Sequence, residues 1–163
     1  MKRIALLLTL AVALPAVAVA APARTAAPQA NIVETAAGAG QFTTLLALAK
    51  QAGLVTALSG PGKLTVFAPT DAAFRKVPKA TLAKLGKDKA LLKRVLLYHV
   101  VMGQVPAAKV VTLRSAKTLA GPSVRIRVSG KNVFVDKAKV SKVDIKTSNG
   151  IIHVIDSVLI PAS

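Results

Sequence analysis

The chain has no cysteine and no tryptophan, and aromatic residues make up 3% of its 163 residues. Without cysteine there is no disulfide, thiolate metal site, cysteine nucleophile or lipid attachment through an N-terminal cysteine. Acidic residues are as scarce: six Asp and Glu stand against 23 Lys and Arg, a formal charge of +17. An excess of this size bears on partners and solubility, not on fold. It points to anionic partners: polysaccharide, envelope lipid, acidic protein or nucleic acid. Sequence-specific nucleic-acid recognition is disfavoured, because there are few aromatic rings to stack on bases. The only histidines, His99 and His153, are far apart in the chain. A catalytic or metal site would need carboxylates or a third nitrogen to converge on them.

Aliphatic side chains are plentiful. Hydrophobic residues are 53% of the chain, enough for one domain with an aliphatic core. Lys2 and Arg3 precede an apolar run from Ile4 to Leu14, then Pro15 and a small-residue stretch through Ala23. This layout predicts a signal peptide over residues 1–20, cleaved after Ala18-Val19-Ala20. The alternative is an uncleaved anchor from Ile4 to Ala21; Pro15 and the A-x-A ending favour cleavage. Residues 21–30 read as a flexible Ala/Pro leader. A secreted or periplasmic location follows, with no transmembrane segment left after cleavage, and a monomer is expected.

The folded domain is expected over 31–161. Asn31 caps a first helix that Gly38 and Gly40 end. Phe42, Leu45, Leu46 and Ala49 repeat at helical spacing, and Gly53 stops that helix. Leu64–Ala68 reads as a strand ended by Pro69, after which Thr70 or Asp71 caps a short helix. Pro78 opens another, which Gly86 separates from a longer helix over Asp88–Tyr98. In that helix Leu91, Leu92, Val95 and Leu96 form an apolar stripe, while Lys87, Lys89, Lys93 and Arg94 stay near water. Beyond residue 99 the pattern is of strands. Val124, Ile126 and Val128 alternate with Arg125, Arg127 and Ser129, and Asn149-Gly150 signals a hairpin. Helices first and strands later predict an α+β fold with a largely antiparallel sheet.

Two segments, Leu64–Phe74 (LTVFAPTDAAF) and Asn149–Pro161 (NGIIHVIDSVLIP), resemble the two homology boxes of fasciclin (FAS1) domains. Leu96–Val100 (LLYHV) between them resembles the family's Tyr-His segment. The resemblance implies a wedge-shaped β-sandwich flanked by helices in the N-terminal half. It also implies a non-enzymatic role in cell adhesion or extracellular matrix association. In animal relatives the Tyr-His segment is linked to integrin-type adhesion. Against many relatives, one domain and no C-terminal lipid-anchor signal are expected here, and the sequence is unusually basic.

Tyr98 and His99 are therefore candidate binding residues. The structural alternative, in which both lock the helix to the sheet, is favoured because such side chains join an apolar body to a polar tip. His153, alternating with Ile151 and Ile155, is read as a buried, hydrogen-bonded histidine. No G-x-S-x-G segment or phosphate loop occurs, and Asp71, Asp136, Asp144 and Asp156 fall at cap- or turn-like positions. No enzyme activity, cofactor or metal is expected. The basic residues form two loose groups. One includes Lys87, Lys89, Lys93 and Arg94; the other includes Lys137, Lys139 and Lys142, with Arg125 and Arg127 nearby. Each reads either as a solubilising surface or as a contact for a polyanion. A second functional reading is a periplasmic carrier of a small apolar or haem-like ligand touched by Tyr98 or His99.

Overall fold

A computed structural model describes residues 30–161. The expected signal peptide (1–20), and all of the leader except Ala30, lie outside the described residues. The N-terminal half holds α1 (Ile32–Ala39), α2 (Thr43–Gln51), α3 (Val55–Ser59), strand β1 (Leu64–Pro69), α4 (Asp71–Arg75), α5 (Lys79–Lys87) and α6 (Lys89–Tyr98). Then come β2 (Val100–Met102), α7 (Ala107–Val110), β3 (Ser115–Lys117), β4 (Ser123–Ser129), β5 (Asn132–Val135), β6 (Ala138–Thr147) and β7 (Gly150–Ile155).

Local chemistry explains most of these boundaries. Asn31 and Glu34 form a reciprocal capping box on α1. Thr70, not Asp71, caps α4. The Asp71 carboxylate instead accepts the Thr44 N–H of α2 at 2.7 Å. That bond holds the carboxyl below its usual range and pins α2 to α4. Gly86 lies inside α5, and the break before α6 falls at Asp88. The Asp88 side chain accepts from the N–H groups of Ala90 and Leu91. Gly38 likewise lies inside α1, which ends at Gly40 in the left-handed region.

The strands run in the order β2-β1-β7-β6-β5-β4-β3. All neighbours are antiparallel except the central β1–β7 pair, which is parallel in register from Leu64↔Gly150 to Pro69↔Ile155. All the elements from α4 to β6 lie in the connection between these two strands, so a parallel pairing is available, and it lies where both faces are covered. All of β7 is buried. Two register shifts in the β6–β7 pairing, with Asp144 at φ 56, bend the long strand β6. The outer strands thereby fold over the central ones, and the free ends of the order meet at a bridge between Val101 and Thr118.

Two cores result, one on each face of β1 and β7. Val66, Ala68, Ile152 and Val154 pack with α1, α2, α5 and α6. Phe67 and Ile155 pack with Val124, Ile126, Val135 and Val140 inside the sandwich. Asn149 and Gly150 adopt no positive φ, contrary to the expectation for the hairpin. Gly150 is needed for another reason: a Cβ there would collide with the Leu64 carbonyl of β1.

Candidate functional site

Tyr98 and His99 are consecutive but pack into different cores. Tyr98 ends α6 and is 6% exposed. Its hydroxyl donates to Asp136 Oδ2 at 2.8 Å. Burial, then this bond, push the phenol up to about 12. Asp136 occupies the turn between β5 and β6 at φ 52. Its other carboxylate oxygen accepts the Arg125 N–H at 2.8 Å, and its own N–H donates to the Arg125 carbonyl. The turn is thus locked to β4 and to the end of α6.

His99 is fully buried. Its Nδ1 lies 2.8 Å from the Val95 carbonyl, and its Nε2 accepts the Leu159 N–H at 2.9 Å. Together these bonds require a proton on Nδ1 and a neutral ring. Burial pushes the imidazole down to about 4. His99 therefore clamps the segment after β7 to α6. His153 is buried too: its Nε2 meets the Val105 carbonyl, its ring stacks on Phe67, and burial lowers its pKa.

The two clamps shape a cleft of about 620 Å³ lined by Tyr98, Arg125, Arg127, Asp136, Lys137 and residues 158–161. Arg125 and Arg127 project from the outer face of β4, because the alternating Val124 and Ile126 point into the core. Among the expected binding residues, the structure brings Tyr98 and Lys137 together here. Lys87, Lys89, Lys93, Arg94, Lys139 and Lys142 are exposed elsewhere, on α5, α6 and β6. His99 lines a second, apolar cavity of only about 30 Å³ between the helices and β1. Of the other cleft residues, sequence reasoning places Arg125 and Arg127 only near the second basic group, and it assigns no binding role to Asp136 or residues 158–161. The alternation along β4 is the visible signal for Arg125 and Arg127, and a turn-like position the one for Asp136.

All six Asp and Glu side chains accept backbone N–H bonds: Glu34, Asp71, Asp88, Asp136, Asp144 and Asp156. They are fasteners, not a converging acid–base pair. Among the described residues, no three His, Asp or Glu side chains gather as a metal site. The one salt bridge there joins Lys76 to Asp156 at 3.7 Å. No helix of the described residues is long and apolar enough to cross a membrane.

The Fasciclin domain family profile matches residues 40–161. The chain is 47% identical over 135 residues to Protein sll1483 of Synechocystis, covering 80% of this chain and 73% of that one. It is 42% identical over 126 residues to Immunogenic protein MPB70 of Mycobacterium bovis, covering 74% and 64%. It is 36% identical over 123 residues to Transforming growth factor-beta-induced protein ig-h3 of Sus scrofa, covering 75% of this chain but 18% of that long protein. The fold resembles a FAS1 domain pair from the insect cell adhesion molecule Fasciclin I, with a TM-score of 0.66 at 18% identity over 82% of this chain and 52% of that one. The chain belongs to the fasciclin domain family.

Proposed function

We propose that this protein is a binding module acting outside the cytoplasm, whose basic surface attaches it to anionic polymers of an envelope or matrix. The observation that carries this reading is the use of its charges. Every Asp and Glu side chain is occupied by backbone N–H groups, while Lys and Arg outnumber acidic residues 23 to six. The Lys and Arg side chains of the described residues are exposed, and one of them forms an ion pair. A surface of one sign attracts the opposite sign over distances set by ionic strength. The membership of a fasciclin domain in an insect cell adhesion molecule supports an adhesive role. Catalysis has no support from a nucleophile–base pair or from paired carboxylates.

The carrier reading is less well supported. His99 has both ring nitrogens engaged, and the apolar cavity beside it holds about 30 Å³, far below the ~300–1,000 Å³ of small-molecule pockets. The larger cleft beside Tyr98 presents three cations, not the apolar groove which that reading requires. The test is binding of the purified protein to anionic polysaccharides and anionic vesicles between about 50 and 300 mM salt. Affinity that falls steeply with salt is the expected result. No binding at low salt would reduce the charge to a solubility device.

A further inference from the structure

We infer that the cleft beside Tyr98 is a discrete site for one acidic sugar unit, a pyranose bearing a carboxylate or sulfate, within the polyanion that the basic surface attracts. This inference rests on the proposed attachment function and names the unit recognised.

The first support is an imbalance of charge inside the cleft. Arg125, Arg127 and Lys137 line it. Asp136 is the one acid among the lining residues, and both of its oxygens are already taken, by the Tyr98 hydroxyl and the Arg125 N–H. Among the described residues, no salt bridge joins these three cations to a carboxylate. Guanidinium groups bind planar oxyanions with two parallel hydrogen bonds, so a pair of them on neighbouring outward positions of one strand suits such a group.

The second support is the opposite wall. Val158, Ile160 and Pro161 are apolar, and Ile160 is 49% exposed. Cations on one side and aliphatic carbon on the other fit a ring with a charged edge and a C–H face. A nucleotide would want an aromatic platform, and the Tyr98 ring is too buried to serve as one. The cleft volume of about 620 Å³ lies within the ~300–1,000 Å³ of small-ligand sites.

The third support is rigidity. The floor is held by the Tyr98–Asp136 bond and the apolar wall by the Leu159–His99 bond. A site built before the ligand arrives loses less free energy to ordering.

The test is calorimetric titration of the protein with a galacturonate trimer, a neutral galactose trimer and a long polygalacturonate. Two variants remove equal charge: Arg125→Gln/Arg127→Gln in the cleft and Lys50→Gln/Lys63→Gln, exposed and outside its lining. Lys137→Gln is a third, milder variant, and thermal unfolding checks that each is folded. The expected result is saturable 1:1 binding of the acidic trimer and none of the neutral one. Affinity should fall about tenfold or more in the arginine variant and about threefold in Lys137→Gln, as for lost charge-assisted bonds, with little change in the lysine control. Equal losses in the arginine and lysine variants would overturn the inference, as would equal binding of the neutral trimer. If polygalacturonate binds but the acidic trimer does not, the cleft inference fails and the attachment function stands. If the trimer binds and the polymer gains nothing over it, the cleft stands and the broader surface reading fails. Anionic vesicles that displace the trimer more strongly than polygalacturonate does would assign the cleft to lipid head groups and overturn the sugar assignment.

Discussion

Tyr98 and His99 leave the same helix end and do different physical work, and pH separates them. Tyr98 is the only tyrosine in a chain without tryptophan, so its ionisation can be followed by absorbance without interference. Its folded value is raised, from 10.0 to about 12, so the stability it contributes is complete below pH 10 and lost as pH rises toward 12. Tyr98→Phe should abolish that absorbance change and cost about 1 kcal/mol, since Asp136 loses a donor beside the cleft. A wild-type midpoint near 10 would show that the hydroxyl is free. His99 has the opposite sign. Its folded value is lowered from 6.5 to about 4, so the unfolded chain binds the proton first. Stability is then complete above pH 6.5 and falls as pH drops toward 4, by roughly 3 kcal/mol for a shift of this size. His153 is lowered as well and adds to the loss, and Asp71, also lowered, extends it below pH 4. Urea unfolding at intervals from pH 7.5 to 4 should show this slope. A flat profile would mean that neither imidazole is buried neutral.

At the scale of elements, the second box works as a joint between strands and helices. Asn149 Oδ1 accepts the Ile32 N–H at the start of α1, and its Nδ2 donates to the carbonyls of Leu58 and Gly60. One buried side chain thus joins the β6–β7 turn, α1 and the end of α3. Asn149→Ala would strand three backbone groups and should cost about 3 kcal/mol, measured by denaturant unfolding. Gly150→Ala should be at least as damaging, because the added Cβ meets β1 backbone, which cannot yield. A Gly150→Ala protein of wild-type stability would refute the close approach. These links mark the limit of what the sequence reveals. Short-range chemistry was legible: the Asn31 cap, the Thr70 cap left open between two residues, the alternation through Val124 and Ile126, and the buried His153 between Ile151 and Ile155. Bonds between distant segments were not. Asp71 caps a helix 27 residues earlier, and nothing local distinguishes it from a residue capping its own helix. The cleft draws Tyr98, Arg125, Asp136 and Ile160 from four separate segments, so only the fold reveals it. Even the alternation misleads at one point: Val128 is 47% exposed, although its partner across the strand pair, Val133, is buried with Val124 and Ile126.

For the whole molecule, the decisive quantity is charge that the fold does not neutralise. The formal charge is +17, and the one salt bridge among the described residues joins two side chains that are 60% and 38% exposed. An exposed pair of that kind contributes ~0–1 kcal/mol, so added salt has little attraction to weaken. It has much repulsion to screen, because the compact state crowds like charges that the unfolded chain spreads apart. Stability should therefore rise with sodium chloride from about 10 to 300 mM, where the screening length falls several-fold. Binding to polyanions should weaken over the same range. Scanning calorimetry with and without polygalacturonate would read both effects at once. Without polymer, the unfolding temperature should climb with salt. With polymer, it should be highest at low salt, where ligand binding to the folded state adds most, and should converge on the polymer-free curve as salt increases. Two parallel rising curves would mean that the polymer does not engage the folded surface. A polymer-free curve that fell with salt would mean that ion pairs, and not repulsion, dominate the electrostatics of this fold.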